Sequence, residues 1–206
     1  NGELKPCNVF KGSTKKVWWK CPEGDDHEFD KISRTMVESR DAKTRGCPFC
    51  SGRNIGNDNN LEVCFPEISK QWHPIKNGEL KPCNVFKRSS KKVWWKCPEG
   101  DDHEWEVAVK ERAGRDKTGC PFCSGKKAGK DNSLEVCFPE ISKQWHPAKN
   151  GDLKPSDVTR GSGKKVWWKC SEGDDHEWET IIYNRVKVSM GSGCPFCRRE
   201  RGGRDK

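Results

Sequence analysis

The chain has little of what a conventional globular core is built from. Of 206 residues only 31% are hydrophobic against 34% charged, one is tyrosine and two are methionine. Mean hydropathy is −1.04. Such a composition is too poor in apolar side chains for one large core and stands near the border of disorder. No apolar run approaches the roughly 18 residues of a membrane span, so no membrane association is expected. A signal-peptide pattern is also missing. Neither a phosphate-binding glycine loop nor a nucleophile–base constellation occurs, and no enzymatic activity is expected of these residues.

What is present is repetition. Ten Trp and eight Phe return at fixed places, which disordered chains do not maintain. A Lys-Lys-Val-Trp-Trp-Lys-Cys phrase occurs three times, followed each time by His-Glu and then by Cys-Pro-Phe-Cys. Aligning Trp18, Trp94 and Trp167 gives periods of 76 and 73 residues. The copies place Cys21, His27, Cys47 and Cys50; Cys97, His103, Cys120 and Cys123; and Cys170, His176, Cys194 and Cys197. Each is a C-x5-H…C-x2-C set with 19, 16 and 17 residues between its halves. Tetrahedral zinc takes four such ligands as two chelating pairs on short turns, and Cys3His is an established structural set. Three structural zinc ions are expected, each supplying folding free energy of about 10 kcal/mol.

Nine of the thirteen cysteines belong to these sets; Cys7, Cys64, Cys83 and Cys137 do not. The position of Cys7 and Cys83 is Ser156 in the third copy, so a disulfide framework is not required, and small half-buried side chains suffice. Zinc thiolates imply a reducing, intracellular compartment. The chain starts at Asn1, part-way through a repeat and without Met, and is expected to be a monomeric fragment of something longer. Formal net charge is +9; three thiolates and one dication per site would bring it to roughly +6. That balance moderately favours a nucleic-acid partner.

Three modules follow: residues 1–54, lacking the opening block of the repeat, then 58–127 and 131–202. The Gly-rich polar stretches after Cys50 and Cys123 suit linkers, giving beads on short tethers. Within a module, Phe65–Trp72 reads as a short helix started by Pro66 and stopped by Pro74. Val93–Cys97 and His103–Val107 read as the strands of a hairpin. The fold class is therefore small α+β zinc modules, each a β-hairpin plus a short helix around one zinc.

This organisation resembles the zinc-ribbon or treble-clef domain family that occurs in tandem copies. The resemblance rests on the opening F-P-E…W-H-P, W-W-x-C, H-E-W and G-C-P-x-C elements, best matched at Trp94, Trp95, Cys97, His103, Trp105, Arg112, Cys120 and Cys123. It implies zinc at the three sets named above and a treble-clef-like fold, and no established activity. The first copy departs from it: Phe29 replaces the Trp of H-E-W, and Arg34 follows His27 by seven residues where Arg112 and Arg185 follow theirs by nine. An irregular first hairpin is expected. The Asp-Asp pair before each His lengthens the turn and offers Asp25, Asp101 or Asp174 as a substitute ligand.

Strand alternation divides the two tryptophans of each copy. If Cys97 faces zinc, Val93 and Trp95 share its face, and Trp95 and Trp105 build a core around the metal. The opposite face reads Lys16-Trp18-Lys20, Lys92-Trp94-Lys96 and Lys165-Trp167-Lys169, a basic and aromatic stripe able to stack unpaired bases and track phosphates. With Lys15, Lys91 and Lys164 of the preceding loop, these are the candidate nucleic-acid-binding residues, DNA ahead of RNA. Lys11, Lys87, Arg88 and Arg160 are further phosphate candidates on the same loops. The alternative packs Trp94 beneath its own short helix and pairs Lys96 with Glu104. Arg112 and Arg185 are expected to bond backbone or a turn carboxylate, and His73 and His146 to cap the short helix or serve as extra ligands. A zinc nucleobase deaminase would need an open coordination position, which a fourth ligand closes. A protein-interaction or scaffold array is the competing function.

Overall fold

The computed structural model describes residues 1–37, 46–114, 118–187 and 193–202. Its elements follow the threefold repeat. The first copy holds β1 (Lys16–Lys20), β2 (Glu28–Ile32) and α1 (Ser33–Val37). The second holds α2 (Leu61–Cys64), α3 (Pro66–Ser69), β3 (Lys92–Lys96), β4 (Glu104–Ala108) and α4 (Val109–Ala113). The third repeats that order with α5 (Leu134–Cys137), α6 (Pro139–Ser142), β5 (Lys165–Lys169), β6 (Glu177–Ile181) and α7 (Ile182–Val186), before α8 (Pro195–Gly202). Each hairpin is its own two-stranded sheet. The chain divides into two compact units, Asn1–Lys96 with Glu106–Thr118, and Cys97–Trp105 with Gly119–Lys206.

The short helix expected over Phe65–Trp72 starts at Pro66 as read but is a single turn, Pro66–Ser69, and another turn, Leu61–Cys64, precedes it. Asn60 caps the first by accepting from Val63 N–H. Phe65 then leaves helical space (φ −141°, ψ 66°) because it precedes Pro66, which starts the second turn. Trp72 lies beyond both turns and forms an isolated bridge with Trp95.

Strand parity holds as read from the sequence. Val93, Trp95 and Cys97 are buried while Trp94 is half-buried. In the third copy Leu134, Val158, Val166, Trp168 and Ile182 form the core, with Phe138, Ile141, Trp145 and Leu153 packed against it. Trp145 meets Trp168 edge-on at 5.5 Å, and Trp72 meets Trp95 in the same geometry. The core thus sits between the hairpin and the opening block, not around the metal. Trp94 lies under a turn rather than under the helix: Lys76 Nζ sits 4.3 Å above its ring. Asn77 clamps its backbone, Oδ1 accepting from Trp94 N–H (2.8 Å) and Nδ2 donating to Trp94 C=O (2.9 Å). Lys149 and Asn150 do the same at Trp167.

The first hairpin is regular, contrary to expectation. Trp19 pairs with Phe29 and Lys20 with Glu28, in the register of Trp168 with Trp178 and Lys169 with Glu177. Phe29 is buried, so an apolar ring of either kind serves there. Val17 and Trp19 are only half-buried, since residues 1–37 include no opening block.

Two substitutions on adjacent residues separate the faces. Trp168→Ala is expected to cost about 3–5 kcal/mol, and Trp167→Ala about 1 kcal/mol, the scale of an exposed cation–π contact. Denaturant unfolding of the zinc-loaded protein measures both, and equal losses would contradict the assigned parity.

Candidate metal centres

Each hairpin delivers a Cys just after its first strand and a His just before its second. The turn between them is closed by backbone bonds, Cys97 N–H to His103 C=O (3.0 Å) and His103 N–H to Gly100 C=O (3.2 Å). Gly100 is required by proximity, because a Cβ there would lie 2.7 Å from the His103 ring; Gly24 and Gly173 are placed alike. The Cys-Pro-Phe-Cys knuckle then supplies the second pair, with its Phe ring stacked on the histidine: Phe49 on His27, Phe122 on His103 and Phe196 on His176, at 4.9, 4.7 and 5.1 Å.

All twelve expected ligands converge into three sets whose donor atoms lie within 4.8 Å of one another. Sγ–Sγ distances are 3.6 Å for Cys21–Cys50 and 3.7 Å for Cys97–Cys123 and Cys170–Cys197. His Nδ1 lies 3.7, 3.6 and 3.4 Å from Cys50, Cys123 and Cys197 Sγ. A zinc tetrahedron with Zn–S of about 2.3 Å and Zn–N of about 2.0–2.1 Å has edges of roughly 3.6–3.8 Å. The donor sets fit zinc, with four protein ligands in each. Asp25, Asp101 and Asp174 are not among these sets.

Burial, reinforced by the neighbouring cysteines of the same set, pushes the Cys50, Cys123 and Cys197 thiols up to about 12. At neutral pH such thiols are protonated until a cation displaces the proton, so metal loading releases protons and acid opposes it.

The coordination extends beyond the ligands. With Nδ1 toward the metal, Nε2 of His27 donates to Asp58 (2.9 Å) and Nε2 of His103 to Asp131 (3.0 Å). Such an outer carboxylate fixes the ring and its tautomer. At the third centre the carboxylate of Asp175 lies 3.9 Å from His176 Nε2. Asp58 and Asp131 lie in stretches read from the sequence as linkers. These stretches are folded onto the preceding centre. Asn59 Nδ2 donates to Phe49 and Asn54 carbonyls, and its Oδ1 accepts from Gly56 N–H. Asp26 accepts from Asn57 N–H (2.7 Å), as Asp102 does from Lys130 N–H (2.8 Å). The readable sign was a Gly-x-Asp-Asn element whose Asp stands eight residues after Cys50 and after Cys123, at Gly56–Asn59 and Gly129–Asn132.

Arg112 and Arg185, on α4 and α7, are buried. Each donates to a glutamine of the opening block, Arg112 to Gln71 at 2.6 Å and Arg185 to Gln144 at 2.7 Å. Burial lowers the Arg185 pKa, opposed by Cys170 and Cys194. His73 Nδ1 accepts from Ile75 and Lys76 N–H, and His146 Nδ1 from Ala148 and Lys149 N–H. These histidines cap the turn that follows them, not the helix before. Cys64 and Cys137 thiols point at the carbonyls of Asp58 and Asp131, and all thirteen cysteines are free.

The stripe lysines are placed across the hairpins from carboxylates. Lys16 pairs with Asp30, Lys20 with Glu28, Lys165 with Glu179 and Lys169 with Glu177. Glu177 also meets Lys149 and His146, which hold its carboxyl down to about 2. Lys92 is exposed and Lys96 half-buried. Trp94 and Trp167 are half-buried, whereas Trp18 is 59% exposed. Lys15, Lys91 and Lys164 stand exposed on the loops before the strands.

Residues 1–53, 68–126 and 141–200 each match one family profile, described as a probable treble clef zinc finger domain. No curated protein matches the chain significantly.

Asp58→Asn and Asp131→Asn are each expected to weaken zinc at the adjacent centre by about 10–100-fold, read by competition with a chromogenic chelator. Titrating zinc into metal-free protein at pH 7 in weak buffer should release at least one proton per ion, from Cys50, Cys123 and Cys197 at the three sites; release near zero would contradict the raised pKa values of these thiols.

Proposed function

We propose a nucleic-acid-binding function, with DNA ahead of RNA, for this chain, which belongs to the family of probable treble clef zinc finger domains. The zinc ions are structural: each has four protein ligands, leaving no coordination position for substrate, and we read the array as a binding protein without catalysis in a reducing compartment. No helix among the described residues is long and apolar enough to cross a membrane.

The observation that carries this reading is the division between strand and loop cations. Strand lysines such as Lys20 and Lys165 face cross-strand carboxylates, and neutralised lysines contribute little to phosphate binding. The loop residues Lys11, Lys15, Arg88, Lys91, Arg160 and Lys164 are exposed and form no ion pair among the described residues. Lys15, Lys91 and Lys164 recur at one place before each hairpin, Lys11 and Arg160 share a second, and Arg88 is particular to the second repeat. Weak individual contacts repeated along one chain combine through effective concentration. The contribution of the strand stripe then reduces to Trp18, the most open of its aromatics, and the exposed Lys92.

A protein partner is the second reading. It is favoured by the apolar face of the first repeat, where Phe10 is 81% and Trp18 59% exposed.

Fluorescence anisotropy with labelled single-stranded and duplex DNA tests the choice. Affinity is expected to fall about tenfold or more between roughly 50 and 200 mM salt, because phosphate contacts release counterions. Replacing Lys15, Lys91 and Lys164 with Gln should flatten that salt dependence. Absence of binding at low salt would exclude nucleic acid and leave the protein-partner reading.

A further inference from the structure

The two junctions between a zinc knuckle and the loop of the following repeat are built alike but filled differently. In the first, Gly52 adopts φ +73° and the Phe86 ring lies on it, so that a Cβ at Gly52 would come within 2.4 Å of that ring. In the second, Gly125 adopts φ +70° with nothing within 4 Å of its Cβ position. The residue in the register of Phe86 is Thr159, which bridges Ser133 as Phe86 bridges Asn60. Thr159 Oγ1 donates to Gly125 C=O at 2.8 Å and keeps the knuckle and loop docked without filling the space between them. The first repeat carries Phe10 at the same position. Thr159 is therefore the departure, and it leaves a groove of about 880 Å³ between the knuckle at Phe122–Ala128 and the loop at Asp157–Lys164.

The chemistry of that groove is cationic. Lys126, Lys127, Arg160 and Lys164 line it and are exposed. Lys127 Nζ rests 4.9 Å above the buried Phe122 ring, and none of the four forms an ion pair among the described residues. One carboxylate, that of Asp157, lines the groove and accepts hydrogen bonds from Lys154 N–H and Ser156 Oγ. The zinc centre reached through Cys123 carries a net charge of about −1 when loaded. Four cations exceed these two negative charges. Gly161 and Gly163 on the loop side have open space where a Cβ would stand, so a ligand can approach the backbone closely.

We propose that this groove is a phosphate-backbone site for single-stranded DNA. A cationic channel between two loops tracks one strand, whereas a duplex would meet only the loop tips. With Phe122 buried, the groove presents no ring for stacking, so it holds phosphates with little base preference. This inference rests on the nucleic-acid-binding function proposed above and assigns its main contact to one junction.

Thr159→Phe places in the groove the side chain that fills the first junction. Arg160→Gln/Lys164→Gln removes two of its cations, and Lys11→Gln/Lys15→Gln removes the same charge from the first repeat's loop. All are made in the full chain and checked for three bound zinc ions per molecule. Thr159→Phe is expected to lower affinity for labelled single-stranded DNA about tenfold, and Arg160→Gln/Lys164→Gln by a similar factor while reducing the salt slope by about 1.4. The first-repeat pair, part of the wider loop array, should lower affinity about threefold, less than either groove variant. Wild-type affinity in both groove variants, or an equal loss in the first-repeat pair, would overturn the groove while leaving the broader function intact. Failure of the wild-type chain to bind DNA at low salt would remove both. Should Thr159→Phe bind less than three zinc ions, the charge variants decide alone.

Discussion

Coordination, rather than burial, closes each hairpin of this protein. A five-residue strand pair is marginal in water by itself, and the apolar composition is too low to rescue it. Four ligands on one ion fix the turn, the knuckle and the register between them together. Two pairs of residues that are far apart in the chain become one rigid corner, and everything described above is suspended from three such corners. The Gly within each Cys/His turn and the Phe stacked on each ligating ring are consequences of how tightly that corner is drawn.

A second, apolar layer builds on the corner. The hairpin face carrying Trp95 or Trp168 is covered by the opening block of its own repeat, through Trp72 or Trp145 and a buried leucine, Leu61 or Leu134. The buried arginine of the helix after the hairpin reaches a glutamine of the same block. The polar layer runs in the other direction along the chain. Asp58 and Asp131 join a histidine of one repeat to the start of the next, with Asn59 and Asn132 bound to the knuckle carbonyls. Successive repeats at these points are clasped by hydrogen bonds to the metal centre, so the segments between them are structural parts and not slack tethers.

The ligands were legible in the sequence because zinc chemistry is written in residue type and short spacing, and threefold recurrence removes chance matches. The burial of Trp95 was legible for a similar reason: Cys97, two residues on, fixes which face of the strand points inward. What was hidden depends on contacts over long separations. Nothing local to Asp58 announces a histidine 31 residues earlier, and its Gly-rich surroundings look like a loop. The break at Phe65 follows from the proline after it, but the preceding turn capped by Asn60 was masked by a short, irregular apolar pattern. The fate of the stripe lysines turned on the side chains opposite, Asp30, Glu28, Glu179 and Glu177, which matter only once strand register is fixed. The regular first hairpin shows that Phe for Trp is a tolerated exchange of rings, not a change of architecture.

The aspartate clasp gives the array a direction in time. During synthesis, a repeat emerges from the ribosome with its four metal ligands before the carboxylate that steadies its histidine, because that carboxylate is encoded at the head of the next repeat. The first centre is complete in ligands at Cys50 and gains Asp58 only eight residues later; the second waits in the same way for Asp131. A repeat cut off after its last cysteine would keep its four ligands and lose that carboxylate, so each of the first two centres depends on the head of the repeat that follows.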